Sequence, residues 1–346
     1  MHFNTQSENT ERGISLNVAA IEVGFGDTKW AYRDANNTII RKSFPSLAPK
    51  HIKDALSTSM GTSARNTFII DIEGEKFEVG PDVNLVVGQT NGGTFLSDEF
   101  PLSKNYKALV YGAITQMTAN YIGHLVLGLP VHTIDRFSNE LKRIFTGTFK
   151  LRDRTVTIQK VSVLAQPVGT LVRCKAENMN IGNGINHLII DPGYYSTDWV
   201  VANGFRVVAG RSGGKVSGVS PILRNICNMI SDDMNIRFDQ VERVNNAIRH
   251  NTNLSIMGRI FTVADLWDYV YKSEPIVNDC INQIISKVGS LTDIESVILS
   301  GGGSTYYSKV CKSRFSPLPI NTLTNPEYAN VVGFLLAGEN SAAKLQ

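Results

Sequence analysis

Two stretches of the chain share one pattern of apolar and polar positions. The strand-like run Val18-Ala19-Ala20-Ile21 leads into Glu22-Val23-Gly24-Phe25-Gly26-Asp27-Thr28-Lys29-Trp30, and Leu188-Ile189-Ile190 leads into Asp191-Pro192-Gly193-Tyr194-Tyr195-Ser196-Thr197-Asp198-Trp199. At a constant offset of 169 an acid meets an acid, Gly24 meets Gly193 and Phe25 meets Tyr194, while Thr28 meets Thr197 and Trp30 meets Trp199. Strand-like residues follow each segment. The pattern predicts strand, tight glycine turn and strand, once in each half of the chain.

Strand-like and helix-like stretches alternate through the rest. Phe68-Ile69-Ile70-Asp71-Ile72 and Lys76-Phe77-Glu78-Val79-Gly80 predict a hairpin around Glu73-Gly74-Glu75. Tyr106 to Tyr121 has helical spacing, His124 to Pro130 reads as a buried strand ending at a turn, and Gly147 to Val163 reads as a strand pair. Apolar residues recur at helical spacing over Ser217 to Ile230, Gln240 to His250, Val263 to Tyr271 and Glu274 to Val288. Val297 to Ser300 is a short buried strand, and Ala329 to Gly338 starts a closing helix. Alternation of this kind predicts an α/β architecture. No low-complexity linker interrupts it, so two related lobes are expected to abut across a cleft.

A chain of 346 residues accommodates two or three structural units. Its 42% hydrophobic and 19% charged residues are an ordinary globular mixture, and a net charge of +3 without a cluster of Lys and Arg gives no reason to expect direct nucleic-acid binding. Cys174, Cys227, Cys280 and Cys311 stand too far apart for a paired zinc site and read as reduced, packed thiols. Met1 to Gly13 lacks the apolar core of a secretory signal and reads as a flexible lead-in. The apolar stretch from Ala108 to Val131 is broken by Gln116, Asn120 and His124, so it predicts a buried helix and strand, with no membrane association. A cytoplasmic protein is expected.

A glycine hairpin brings backbone N–H groups close to a phosphate because no Cβ blocks the approach. Two facing hairpins, one per lobe, would clamp a polyphosphate from both sides. The first supplies Gly24, Gly26, Thr28 and the point charge of Lys29; the second supplies Gly193, Ser196 and Thr197. Glu22 and Asp191 face the same space, where carboxylates would hold Mg²⁺ through its waters. Gly24-Phe25-Gly26 begins like a dinucleotide fingerprint, but Lys29 stands where its third glycine belongs. Gly210 to Val216 mimics a P-loop one residue short, with Val216 in place of Ser or Thr.

These residues, in this order, resemble the actin-fold ATPases of the actin, Hsp70 and sugar-kinase superfamily. The likeness is greatest to the ParM/StbA plasmid-segregation branch, and within it to the actin-like D proteins of PRTRC plasmid systems. Glu22 to Lys29 resembles the first phosphate loop, which brings Phe25 and Asp27 into the nucleotide site, and Asp191 to Asp198 resembles the second, which adds Tyr194, Tyr195 and Asp198. Phe44 to Pro49 and Gly128-Leu129-Pro130-Val131 are similar to further marks of the branch. Ala165 to Gly169 resembles the segment joining the lobes, Ser300-Gly301-Gly302-Gly303-Ser304 the adenosine loop, and Asn325 to Gly333 the last connection.

The resemblance covers about residues 18 to 340 and implies an actin-like ATPase fold, two related ribonuclease-H-like lobes around a nucleotide cleft. Residues 1–17 would be the lead-in, 18–165 the first lobe and 166–324 the second, with a C-terminal helix over about 325–346 returning to the first. It implies an ATPase that binds ATP (or GTP) with Mg²⁺, polymerises with itself into filaments and segregates plasmid DNA through a DNA-binding adaptor protein. Gln166 would orient the attacking water, Asp191 and Glu22 would hold the cation, and Gly301, Gly302 and Gly303 would lie against the adenosine. Two departures point to slow hydrolysis or a shifted cation: Glu22 replaces the family's usual Asp, and Phe25 stands where actin offers a small hydroxyl residue. A nucleotide-gated adaptor with little hydrolysis is the alternative. A small-molecule kinase would need a catalytic Asp where Gln166 stands.

Overall fold

The computed structural model describes residues 14–52, 65–87 and 99–343. Of the lead-in predicted over residues 1–17, residues 1–13 lie outside the described ones and Ile14 to Asn17 belong to the first strand; the end of the closing helix at 344–346 also lies outside. Strands β1 (Ile14–Val23), β2 (Asp27–Arg33) and β3 (Ile39–Pro45) form an antiparallel meander. The predicted hairpin follows as β4 (Phe68–Ile72) and β5 (Glu75–Val79). Helix α1 (Lys104–Gln116) then returns the chain to β6 (Ala119–Leu129), which runs parallel to β1. Beyond α2 (Ile134–Phe145), β7 (Gly147–Leu151) and β8 (Arg154–Ala165) complete the sheet in the order β3-β2-β1-β6-β8-β7.

Helix α3 (Gln166–Ala176) leads to the second repeat, β9 (Asn186–Pro192) and β10 (Thr197–Asn203), with β11 (Arg206–Val207) and β12 (Gly213–Lys215) paired to β10. Helices α4 (Ser220–Met234) and α5 (Val241–Arg249) come next, followed by a hairpin of β13 (Leu254–Ile256) and β14 (Arg259–Phe261). After α6 (Val263–Lys272) and α7 (Glu274–Val288), β15 (Ile294–Leu299) lies parallel to β9. Helix α8 (Ser304–Arg314), strand β16 (Ile320–Thr322) and helix α9 (Ala329–Ala343) end the chain's described part. Both sheets share one plan, a leading antiparallel hairpin followed by parallel strands reached through helices, and β12 stands beside β10 as β3 stands beside β2.

The registers agree to the residue. Glu22 pairs with Lys29 and Ile21 with Trp30 across β1 and β2; at the same offset, Asp191 pairs with Asp198 and Ile190 with Trp199 across β9 and β10. Successive strand side chains point to opposite faces, so central strands covered on both sides are apolar throughout. Ala19, Ile21 and Val23 of β1 pack with α1, while Val18 and Ala20 pack with Val331, Phe334 and Leu335 of α9. In the second sheet, Leu188 and Ile190 face the α4 and α7 side, and Ile189 faces Leu171 and Cys174 of α3.

Helices α3 and α9 are therefore exchanged: α3 leaves the first sheet and packs on the second, whereas α9 leaves the second and packs on the first. They cross at Gly169 and Gly333, so closely that a Cβ on Gly333 would stand 1.7 Å from the Gly169 carbonyl oxygen.

Local chemistry sets several boundaries. Ser103 caps α1 by accepting from the Tyr106 N–H, and Thr262 and Asp265 form a reciprocal capping box on α6. The helix predicted to reach Tyr121 stops at Gln116, because Thr118 takes φ 52° and strand pairing begins at Ala119. The helix predicted from Ser217 starts at Ser220, with Pro221 in its first turn. The P-loop mimic resolves into a 3-10 turn at Ala209–Arg211 and the strand β12. Among the described residues, no helix is long and apolar enough to cross a membrane. The four cysteines are buried free thiols.

Candidate functional site

The two repeated hairpins close with the same bond. The Gly24 N–H donates to the Asp27 carbonyl at 3.1 Å, and the Gly193 N–H donates to the Ser196 carbonyl at 2.8 Å. Their tips then meet. The rings of Phe25 and Tyr195 lie 4.8 Å apart between centroids, and Phe25 also stacks on Phe100 at 5.4 Å. A Cβ on Gly26 would stand 3.0 Å from Tyr194 Cβ, so the close approach depends on its absence. Arg249 of α5 adds an ion pair to Asp27 at 3.1 Å. The turns that carry residues 24 and 193 thus meet at their tips.

Each hairpin is braced from behind. Thr28 is fully buried, and its hydroxyl lies 2.8 Å from that of Ser46, whose N–H donates to the Gly26 carbonyl. The equivalent Thr197 hydroxyl donates to the Ser217 carbonyl, and the N–H groups of Gly218, Val219 and Ser220 bind the carbonyls of Tyr195, Gly193 and Tyr194. Thr28, expected at the nucleotide, has its hydroxyl committed to this bracing.

At the base of the hairpins sit Glu22 and Asp191, the next-to-last residues of β1 and β9, both buried. Lys29 Nζ lies 3.6 Å from Glu22 Oε2. Burial alone would lower the Lys29 pKa, but Glu22, Asp27 and Asp191 outweigh it and hold the ammonium above its ordinary value. Burial, reinforced by the Glu22 charge, raises the Asp191 pKa well above the carboxylate range. Asp198 is buried beside it; Oδ2 accepts from Ser196 Oγ at 3.2 Å, and Oδ1 lies 3.8 Å from His132 Nδ1.

Two oxygens in this group, Glu22 Oε2 and Asp198 Oδ1, are buried and accept no hydrogen bond. Such oxygens are costly without a counter-charge. Together with Asp191 they make a set of hard oxygen donors suited to Mg²⁺ and its waters. Among the described residues, no three His, Cys, Asp or Glu side chains gather for direct ligation of a metal ion.

The predicted adenosine loop reaches the same place. Gly301 takes φ 75°, and a Cβ there would fall 2.2 Å from Asp191 Oδ1. Its N–H donates to the Pro326 carbonyl, and the Gly303 N–H donates to that of Pro192 in the second hairpin. Gly302 follows in the same turn. Gln166 begins α3 directly after β8; Glu22 pairs with Gly128 of β6, which pairs with Leu164, so Gln166 lies two residues past that row.

One residue escaped the sequence reading. Asn330, near the start of α9, donates through Nδ2 to Glu22 Oε1 at 3.1 Å and to Asp191 Oδ2 at 2.5 Å. Its signal was a lone amide among Ala329, Val331, Val332 and Phe334, all buried.

The sequence profile of the actin-like protein N-terminal domain matches residues 20–169, the stretch that carries the first sheet. No curated protein sequence matches the chain. Among solved structures, the archaeal actin homolog Ta0583 in complex with ADP superposes with a TM-score of 0.71 at 17% identity, over 94% of this chain and 100% of that one. A ParM from a 15-stranded Clostridium botulinum filament superposes with a TM-score of 0.71 at 20% identity, over 94% and 100%. Bacillus thuringiensis ParM with ATP gives 0.65 at 13% identity, over 95% and 100%. At these identities the likeness is one of fold. The chain has the actin-like ATPase fold, two lobes of one design with their glycine hairpins face to face.

Proposed function

We propose that this chain is an ATPase that binds ATP (or GTP) with Mg²⁺ between its lobes and polymerises with itself into filaments that segregate plasmid DNA in the cytoplasm. A DNA-binding adaptor protein would join filament to plasmid. The proposed division is 18–165 and 166–324, with α9 returning to the first lobe. The observation that carries the reading is the meeting of two hairpins of identical register over buried Glu22 and Asp191. Solved relatives with ADP, with ATP and in a filament support it.

In this reading the Gly24 and Gly193 N–H groups close the turns, the backbone of Phe25 to Asp27 and of Tyr194 to Ser196 donates to the phosphates, and Lys29 adds its charge. Gly301 to Gly303 let the adenosine lie against the main chain. Glu22 and Asp191 would hold Mg²⁺ through its waters, where the ion neutralises charge developing on the transferred phosphoryl group. Gln166 orients the attacking water, a task for which a neutral amide suffices because the protein mainly positions groups in phosphoryl transfer.

Phe25 favours a second reading, a nucleotide-gated adaptor with little turnover. It packs on Tyr195 and Phe100 and has no hydroxyl to offer a γ-phosphate. Sedimentation with ATP, GTP and a non-hydrolysable analogue, with phosphate release measured in parallel, separates the two. Pelleted polymer with Gln166-dependent release is expected. Absence of polymer with every nucleotide across a range of salts would remove the filament, and turnover indifferent to Gln166→Ala would leave the adaptor.

A further inference from the structure

Glu22 and Asp191 are joined by a side chain from a third element. A primary amide has two N–H donors and one carbonyl acceptor. Asn330 uses its Nδ2 toward both carboxylates, one from each lobe, at 3.1 and 2.5 Å. Its Oδ1 accepts from the Thr170 hydroxyl of α3 at 2.8 Å. Thr170 is fully buried, and Asn330 is 3% exposed. Reversing the amide would aim its carbonyl oxygen at two carboxylates, so the acids decide which end faces them, and the Thr170 hydroxyl, able to donate or accept, anchors the Oδ1 at the other end.

The network stands beside the point where the lobes are connected. Thr170 follows Gly169, and Asn330 lies one turn before Gly333 on the same face of α9, the two glycines at which α3 and α9 cross. Separation of the lobes carries Glu22 away from Asp191, and Asn330 cannot follow both.

We infer that Asn330, anchored by Thr170, is a positioning residue that holds Glu22 and Asp191 together as one acceptor pair for the nucleotide-bound cation and ties that pair to the helix crossing. The cation is taken from the proposed function; the hydrogen bonds stand without it. Asn330 leaves Glu22 Oε2 without a hydrogen bond, facing Lys29 at 3.6 Å. Without the amide, no hydrogen bond joins the two buried carboxylates, Lys29 stands on the Glu22 side alone, and the pair no longer keeps one spacing.

Calorimetric titration of ADP, in Mg²⁺ and in EDTA, tests this on the full chain and on Asn330→Ala, Thr170→Val and Thr170→Ser. Wild type is expected to bind ADP more tightly with Mg²⁺. Loss of two charge-assisted hydrogen bonds should cut that Mg²⁺-dependent gain about tenfold in Asn330→Ala, while the affinities in EDTA converge. Thr170→Val should lose about threefold, since it removes one neutral hydrogen bond that anchors the amide, and Thr170→Ser should restore the gain.

An Asn330→Ala chain that keeps the full gain overturns the inference, and so does one weakened equally with and without Mg²⁺, which marks a merely structural residue. If Asn330→Ala does not fold, the Thr170 pair decides, and equal gains in Val and Ser overturn it. A wild type indifferent to Mg²⁺ would overturn the cation site and this inference together; an effect confined to the variants leaves the proposed function standing.

Discussion

The two hairpins have one backbone and opposite electrostatics. At the position across from the buried acid, the first carries Lys29 and the second carries Asp198. Glu22 therefore has a cation within its own hairpin, whereas Asp191 has a second acid. Duplication of a frame did not duplicate the charge. The first hairpin comes with its own counter-ion; the second has none of its own, and the imidazole of His132 from the opposite lobe and the neutral amide of Asn330 face its acids instead. This asymmetry suits a site that grips an anionic phosphate on one side and its metal on the other.

The largest expected consequence separates the two acids. Asp191→Ala should lower Mg²⁺-dependent phosphate release on the order of 100-fold, because metal-ion stabilisation of the transition state is worth several kcal/mol. Glu22→Ala should cost about tenfold, since Lys29 and Asp191 both remain. Single-turnover phosphate release measures both. Equal and small losses would contradict Asp191 as the stronger of the two holders of the cation.

The facing residues should divide binding in the same way. Lys29→Met removes a cation that three carboxylates keep charged, and should weaken ADP about tenfold with or without Mg²⁺, the value of a partly buried ionic contact. Asp198→Asn should leave affinity in EDTA nearly unchanged and reduce only the Mg²⁺-dependent part, by about threefold. Equilibrium titration reads both, and a Mg²⁺-specific loss in Lys29→Met would reverse the assignment.

A smaller effect belongs to the contact across the hairpin tips. Arg249 and Asp27 are partly exposed, and pairs of that kind contribute about 0.2–1 kcal/mol. Arg249→Ala should change the ADP dissociation rate by no more than about fivefold. Stopped-flow displacement measures it; a change of two orders of magnitude would make Arg249 part of the grip on the nucleotide.

The hairpins were legible because each is a contiguous stretch with local chemistry: glycines where the chain turns, an acid ahead of them, and threonine and tryptophan at fixed spacing behind. A register of consecutive residues survives in sequence as a constant offset. Helix α7 was legible too, with Glu274 and Val288 as predicted, since its apolar spacing is unbroken. The end of α1 was not, because Met117 to Tyr121 hold no Gly or Pro to mark a stop, and the strand that claims Ala119 onward is set by its pairing with β1. Asn330 was quoted within the last connection, but its role was hidden by distance: 139 residues separate it from Asp191 and 308 from Glu22. The exchange of α3 and α9 between sheets is likewise a matter of tertiary packing, which local periodicity does not encode.

Away from the nucleotide site the lobes again hold one device in two settings. His124 of β6 lies 2.8 Å from Ser162 on the adjacent parallel strand, and His187 of β9 lies 2.9 Å from Ser296 on its own parallel neighbour. Burial lowers both pKa values; Lys160 lowers that of His124 further and a backbone hydrogen bond at Gly338 partly restores it, whereas the Asn180 carbonyl and Glu295 partly restore that of His187. A histidine whose folded pKa lies below the unfolded value, about 6.5, contributes stability that is present above that pH and lost as pH falls through the folded value. The histidine part of the urea midpoint should therefore be flat above about pH 7 and decline as acid is added below about pH 6.5; Asp191, its pKa raised to about 7, titrates with the opposite sign in the same window, so each histidine is read as the difference between variant and wild type. His124→Gln should remove more of that decline than His187→Gln, because only His124 is opposed by a neighbouring ammonium. Midpoints measured from pH 5 to 8, above the titration of ordinary carboxylates near 4, would sink this ranking if both variants kept the wild-type slope.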